Sequence, residues 1–251
     1  MIRTLLLLLL AALAAEAGII PVKPREIGAD PGWSGEAAVS LQTRRGNVET
    51  DSYSASLKAT YDSNASYLVW GMVRGEYGEA GGVKNTNNSF AHLRYIRQIV
   101  GNATVGELFA QIEDDEFKSI NDRSLAGAGL RWKFWHERAR FGGLFFGLGA
   151  FYEYVDYSTE TDPLERNGRM NAYLAYTLYF LKDSLFGVIG YYQPKLDDFD
   201  DYALNTSAKI EVPIYGQLYF SFLVIYTHDS RPAVGRKMDD FSQLTQLKWK
   251  F

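Results

Sequence analysis

Residues 51–62, DSYSASLKATYD, alternate strictly between two kinds of side chain. The odd positions from 53 to 61 are tyrosine, alanine or leucine, and the even positions from 52 to 60 are serine, lysine or threonine. Successive side chains of a β-strand point to opposite faces, so the pattern predicts a strand with one apolar and one polar face. The same alternation recurs in residues 35–43, 124–134 and 202–212.

The alternating segments continue along the chain from Trp33 to the C-terminus, and no helical periodicity interrupts them. Each is close to the roughly 9–11 residues that a tilted strand needs to cross a bilayer. We predict about twelve strands, near residues 33–43, 50–61, 67–77, 88–98, 104–114, 123–134, 141–154, 169–180, 185–194, 202–213, 217–228 and 240–251.

The connections between these strands alternate in length. Short turns are predicted at 62–64, 100–102, 136–139, 182–184 and 214–216. The other connections are predicted to be longer and polar, at 79–86, 116–122, 156–168, 195–201 and 228–240, with only 44–49 short among them. Short periplasmic turns and longer extracellular loops are typical of outer-membrane barrels. An even number of strands also places both ends of the barrel on the periplasmic side.

The last eight residues, LTQLKWKF (244–251), support the same fold. Leu247, Trp249 and Phe251 share one face of the last strand, and Lys248 and Lys250 share the other. In water such a strand would be an exposed, aggregation-prone edge. We predict that its apolar face contacts lipid. A terminal strand that ends in an aromatic residue resembles the signal read by the outer-membrane barrel assembly machinery, although Gln246 occupies the usual glycine position.

The N-terminus predicts export. Arg3 precedes an apolar run that ends at Ala15-Glu16-Ala17, which is the pattern of a cleaved secretory signal peptide over residues 1–17. The run is about half the roughly 20 residues of a membrane-spanning helix. Residues 18–32 contain three prolines and predict a periplasmic leader, or a plug that folds into the barrel, before a barrel domain at 33–251.

Composition narrows the class of protein. Aromatic residues make up 15% of the chain and charged residues 22%, which calls for a large apolar environment. The chain has no cysteine, so neither disulfides nor a cysteine metal site are expected. Its net charge of −4 is dispersed and offers no footprint for nucleic acid. We predict no cofactor and no metal site.

The polar face of the strands carries charges of both signs at mid-strand. A water-soluble barrel of lipocalin type would fill this face with apolar side chains, so the charges favour a membrane barrel with a polar interior. The residues predicted to line the lumen are Glu36, Lys58, Arg74, Glu76, Arg94, Glu107, Arg131, Lys209 and Glu211. They either close the interior with salt bridges or line a narrow water-filled pore.

Two stretches resemble a known family. Residues 44–62, RRGNVETDSYSASLKATYD, resemble the first hairpin of a family described as salt-induced outer-membrane proteins, domain of unknown function 481. Residues 228–251, HDSRPAVGRKMDDFSQLTQLKWKF, resemble its last hairpin. The resemblance implies an outer-membrane barrel, and it implies no activity, catalytic residue or cofactor.

These observations predict an all-β fold, a transmembrane antiparallel up-and-down β-barrel of about twelve strands in the outer membrane of a Gram-negative bacterium. The expected function is a narrow pore or a structural, permeability-related role for small solutes, without enzymatic activity. The expected partners are outer-membrane lipids, lipopolysaccharide and, during insertion, the assembly machinery. We predict a monomer.

An alternative from another class is an outer-membrane lipid acyl hydrolase. His228, Ser230 and Asp239 lie near the outer end of the last hairpin, and by strand parity their side chains face lipid. A histidine that deprotonates a serine and is oriented by an aspartate is the usual acyl-hydrolase arrangement. Replacing His228 by alanine would abolish fatty-acid release by a hydrolase and would change nothing measurable in a pore.

Overall fold

Twelve antiparallel strands and one short 3-10 turn, η1, at Glu116–Lys118 are the regular elements of the described residues. The structure, a computed structural model, describes residues 25–44, 50–101, 103–136, 142–158, 164–181 and 183–251. The strands are β1 Gly32–Arg44, β2 Thr50–Asp62, β3 Tyr67–Ala80, β4 Val83–Val100, β5 Thr104–Asp115, β6 Ile120–His136, β7 Gly143–Tyr157, β8 Glu165–Leu181, β9 Ser184–Pro194, β10 Tyr202–Tyr215, β11 Leu218–Asp229 and β12 Asp239–Lys250. The predicted signal peptide, the first part of the leader (18–24) and the connection at 45–49 lie outside the described residues.

Each strand pairs with its neighbours in sequence, and β12 pairs with β1 to close the barrel. At the closure the backbone N–H of Gly35 donates to the carbonyl of Phe251 at 2.6 Å, and the N–H of Phe251 donates to the carbonyl of Gly35 at 3.0 Å. The closing ladder is short and pairs Glu36–Val39 of β1 with Leu247–Lys250 of β12. The predicted all-β, twelve-stranded up-and-down barrel is therefore confirmed. No helix in the described part of the chain is long and apolar enough to cross a membrane.

The outside of the barrel is rich in exposed apolar side chains. Large apolar side chains on β1 to β8 and β10 to β12 point away from the interior and are exposed: Val39, Leu57, Val73, Leu93, Leu108, Leu130, Leu148, Leu174, Ile210, Phe220 and Leu247. They occupy the strand positions whose parity predicts an outward direction. The last strand follows the same rule, since Trp249 and Phe251 are exposed beside Leu247.

One predicted connection was wrong. Residues 79–86 were expected to form a long polar loop, but β3 continues to Ala80 and β4 starts at Val83. Only Gly81 and Gly82 lie between the strands, with φ of +58° and +77°. Two successive positive φ angles are typical of the tightest hairpin turns, and glycine adopts them without strain. The polar residues after this turn belong to a strand that extends beyond the apolar surface.

The two ends of the barrel differ. We call the end that carries Gly32, Phe251 and the connections after β2, β4, β6, β8 and β10 the turn end, and the opposite end the loop end. The longest described connections, at 195–201 and 230–238, lie at the loop end. At the turn end the chain enters the barrel interior before β1, because Ile27 is buried in a cluster with Leu68 and Trp70. Residues 25–31 thus occupy the turn end of the lumen.

Candidate functional site

The interior of the barrel is strongly charged. All nine side chains that the sequence predicts for the lumen belong to the inward-facing rows of their strands. Three of them, Arg94, Glu107 and Arg131, are only 4% exposed and lie together near the middle of the lumen. Glu36, Lys58, Lys209 and Glu211 lie on β1, β2 and β10 around a cavity at the turn end, and Arg74 forms an ion pair with Glu76 at 2.6 Å.

Glu107 is the centre of a buried polar network. Its carboxylate lies 2.9 Å from a guanidinium nitrogen of Arg131 and 3.4 Å from one of Arg94. The hydroxyl of Tyr173 donates to the same carboxylate at 2.7 Å. A buried carboxylate is stable only when such partners replace its water shell. Arg131 also donates to the backbone carbonyl of Arg25 at 2.7 Å, so the network extends to the segment before β1.

Aromatic rings complete a layer across part of the lumen. The guanidinium of Arg94 lies 5.3 Å from the ring centre of Phe109, which contacts Phe151 edge to face. On the adjoining strands, the rings of Tyr173 and Tyr191 lie 5.1 Å apart. We call the set formed by Arg94, Glu107, Phe109, Phe151, Tyr173 and Tyr191 the central layer. It runs from β4 to β9 and narrows the interior there.

Glycines make room for the central layer. On β6 and β7, Gly127 and Gly147 lie beneath interior rings, so that a Cβ at Gly127 would come within 2.6 Å of Phe109 and a Cβ at Gly147 would overlap the ring of Tyr173. In a strand, glycine often marks a close approach of another group. The glycine-rich segment 143–151 therefore contributes to the wall on which the layer rests.

A large cavity lies between the central layer and the turn end. Its volume is about 640 Å³, and its wall includes side chains from β1, β2, β3, β8, β9, β10 and β12. Four lysines line it: Lys58, Lys209, Lys248 and Lys250. We call it the turn-end cavity.

Residues 25–31 close part of the turn-end cavity. Arg25 forms an ion pair with Glu36 at 2.6 Å, and Glu26 forms one with Lys133. The backbone N–H of Gly28 donates to Asp62 at 2.8 Å. Together with the buried side chain of Ile27, these contacts hold the segment inside the barrel. The described part of the leader thus lies where a plug would lie, and the plug function itself stays a prediction.

A second polar network lies at the loop end. Glu153, which is 1% exposed, contacts Arg123 at 2.8 Å and forms a close ion pair with Arg169. Arg169 continues to Asp201 at 3.0 Å, and Asp201 pairs with Lys195 at 2.7 Å. Burial lowers the pKa of Lys195, but hydrogen bonds and the charges of its acidic neighbours outweigh burial and raise it above its ordinary value.

A smaller cavity of about 360 Å³ lies next to this network. The connection between β11 and β12 folds over it: Ala233 is buried, and the guanidinium of Arg236 donates to the hydroxyl of Ser119 at 2.6 Å. Among the described residues, this loop-end cavity and the turn-end cavity have no lining residue in common. No residue of the central layer lines either cavity.

The three residues of the hydrolase alternative are only partly brought together. His228 Nδ1 lies 2.8 Å from a carboxylate oxygen of Asp239, which also accepts a hydrogen bond from Tyr226 at 2.5 Å. The hydroxyl of Ser230, however, donates to the backbone carbonyl of Asp200 at 3.0 Å and accepts from the backbone N–H of Tyr202 at 2.8 Å. Its proton is therefore directed to a carbonyl and not to a base.

Sequence reasoning missed two parts of the interior. Strand parity alone assigns Arg123, Glu153 and Arg169 to the inward rows, so the alternation could have predicted that these residues of the loop-end network lie inside the barrel. The interior aromatics Phe109 and Phe151 were not, because a polar inward face was expected. The described residues contain no group of three or more histidine, aspartate or glutamate side chains that could hold a metal ion.

Comparisons with known proteins add a family match and distant structural similarities. A family model described as "Protein of unknown function, DUF481" matches residues 37–251. No curated protein is significantly similar to the chain. Among solved structures, the NanC porin is 13% identical to this chain, with a TM-score of 0.47. The match covers 86% of this chain and 97% of the porin chain. The KdgM porin is 12% identical, with a TM-score of 0.40, covering 87% and 96%.

The translocator domain of the autotransporter NalP from Neisseria meningitidis is 10% identical, with a TM-score of 0.46 and coverage of 88% of both chains. Identities and TM-scores this low identify no function. The fold rests on the strand pairing of the chain itself.

Proposed function

We propose, for a chain that belongs to the family of unknown function DUF481, that the barrel is a narrow pore of the outer membrane. The description of that family assigns no activity, so the function is inferred from the barrel itself. Small charged solutes pass through its lumen, and the central layer restricts them. The observation that carries this proposal is the pair of charged cavities, about 360 and 640 Å³, that lie on the two sides of the central layer.

The membrane part of the proposal rests on the outer surface. A barrel in water would expose its row of leucine, valine and phenylalanine side chains at a large cost, since burying apolar area gains roughly 25 cal/mol per Å². In a bilayer the same surface is favourable, and a closed barrel pairs its strands with one another, as a spanning structure requires. The predicted export signal and the aromatic C-terminus agree with an outer-membrane address.

The pore part rests on the interior. Eight-stranded barrels fill themselves with side chains, whereas barrels of 16 to 18 strands leave an aqueous channel. Twelve strands enclose an intermediate space. Here the space is divided between two cavities that charged side chains help to line and a layer of arginine, glutamate and aromatic side chains. Charged walls favour water and ions over an empty or apolar interior.

Removing a ring of the central layer is expected to widen the passage. We expect the wild-type protein in a planar bilayer to give small current steps that scale with salt concentration. In Phe109→Ala the steps should be at least about twofold larger, because the deleted ring contacts Phe151 and supports Arg94. Single-channel recording across a salt series measures both.

The matched control is Phe134→Ala, which deletes an outward-facing ring that is 67% exposed. It should leave the conductance of the pore unchanged. If wild type and Phe109→Ala are both silent while a heat-modifiability gel shows folded barrel, the lumen is closed and the proposal fails. Equal currents in Phe109→Ala and wild type would show that ions do not pass the central layer.

A further inference from the structure

One side of the turn-end cavity, around Glu36 and Glu211, contains more basic than acidic groups. Glu211 is surrounded by three lysines: Lys209 at 3.2 Å, Lys248 at 3.1 Å and Lys250 at 2.5 Å. A single carboxylate carries one negative charge, so these contacts leave an excess of positive charge. Because Glu211 and Lys248 are buried, that excess costs more there than it would at the protein surface.

The second carboxylate of this wall does not balance the excess. Glu36 pairs with Arg25 at 2.6 Å and is 3.6 Å from Lys248. Lys58 has no ion-pair partner among the described residues, and its ammonium lies 4.5 Å from the ring centre of Trp70. A cation over an indole face is favourable, but the ring does not neutralise it. Around Glu36 and Glu211 the cavity thus gathers five basic side chains, Arg25, Lys58, Lys209, Lys248 and Lys250, whereas its whole lining has six basic and five acidic side chains.

The remaining acidic residues of the lining belong to the closing segment or contact it. Glu26 pairs with Lys133, and Asp62 accepts hydrogen bonds from the backbone N–H groups of Gly28 and Asn64. Asp30 is part of residues 25–31 itself. Glu26 and Asp62 thus contact residues that hold the segment in place at the turn end.

Unpaired hydrogen-bond donors line the same cavity. The hydroxyls of Thr60 and Thr177 and the indole N–H of Trp70 have no hydrogen-bond partner among the described residues. Their side chains are 1%, 2% and 2% exposed, respectively. Buried polar groups are nearly always satisfied, so each such group calls for a hydrogen-bond partner that the described residues do not supply. The indole N–H can only donate, so it requires an acceptor.

We propose that the turn-end cavity is a binding site for a small oxyanion-bearing solute, one that carries carboxylate or phosphate groups. The oxygens of such a solute would neutralise Lys58 and its neighbours and accept from the unpaired donors. Charge-assisted hydrogen bonds of this kind are about twice as strong as neutral ones. Binding at this site does not require passage through the central layer, so it can be tested separately from conduction.

Citrate is the probe, and its binding to the folded, detergent-solubilised barrel is measured by isothermal titration calorimetry. We expect citrate to bind to the wild type and sorbitol to give no heat. Lys58→Gln should weaken citrate binding by about tenfold, because it removes one charge-assisted contact. Inorganic phosphate should compete. Raising the salt concentration should weaken binding, because chloride screens the lysines.

Lys84→Gln is the matched control, because Lys84 lies outside the cavity and pairs with Glu116 at the loop end. It should bind citrate as the wild type does. Trp70→Phe provides a second variant in case Lys58→Gln does not fold, since it removes the indole N–H and retains a ring under the lysine. The proposal is overturned if citrate binds the wild type no better than sorbitol, or if Lys58→Gln and Trp70→Phe both bind it like Lys84→Gln.

Discussion

Glu107→Ala is expected to destabilise the folded barrel by about 3–5 kcal/mol, the usual cost of removing one partner of a buried ion pair. The substitution leaves Arg94 and Arg131, each 4% exposed, without their shared carboxylate, and it removes the acceptor of the Tyr173 hydroxyl. The loss would follow from two uncompensated buried cations and not from the missing attraction alone. Equilibrium unfolding in urea, followed by tryptophan fluorescence in lipid vesicles, measures it.

Two control variants separate this effect from a general loss of charge. Glu107→Gln retains an acceptor for Tyr173 and should lose less stability than Glu107→Ala. Glu116→Ala removes an exposed glutamate at the loop end whose pKa is held below its usual value by hydrogen bonds from Lys84 and Asn87. An exposed pair contributes little to stability, so this variant should unfold close to wild type. Equal losses in Glu107→Ala and Glu116→Ala would contradict a buried central network.

Gly149→Ala is the second substitution with a large expected effect, about 1–3 kcal/mol of lost stability from overpacking. A Cβ at position 149 would overlap the backbone carbonyl oxygen of Ala128 and the Cα of Gly129 on the neighbouring strand. Backbone atoms cannot rotate away as a side chain does, so β6 and β7 would have to separate. Urea unfolding and the yield of heat-modifiable folded protein report the loss.

Gly187→Ala is a matched control for this change. Gly187 belongs to the inward-facing row of β9, and the nearest atom to an added Cβ is the carbonyl oxygen of Tyr176 at 3.8 Å, an ordinary contact. The control should therefore fold and unfold like the wild type. If both glycine variants are equally destabilised, alanine at an inward-facing glycine is harmful for reasons other than the close approach of β6 and β7.

Much of the barrel was predictable from local pattern. The strand register follows from alternation, because a shift of one residue would transfer every side chain to the opposite face. The inward direction of Arg94, Glu107 and Arg131 could therefore be inferred from the alternation within each strand, although the three strands come together only on folding. The error at 79–86 has a local cause as well: polar residues that extend past the apolar belt are indistinguishable from a loop by hydropathy.

Other features depended on which strands face each other across the lumen. Parity places a side chain inside or outside, but it does not tell which inward residues meet. The pairing of Glu107 with Tyr173 joins positions 66 residues apart. Ser230 illustrates the converse, since it lies two residues from His228 in sequence but donates its proton to the carbonyl of Asp200.

The sequence by itself determined the strands, their two faces and the charged character of the interior, because these properties are set by each residue and its immediate neighbours. Only the tertiary structure decided that aromatic rings rest on the glycines of β6 and β7 and divide the interior, and that five basic side chains gather around Glu36 and Glu211 at one cavity. Such arrangements arise from barrel closure and strand tilt, which bring distant strands together at a particular height. Alternation along a single strand carries no information about that height.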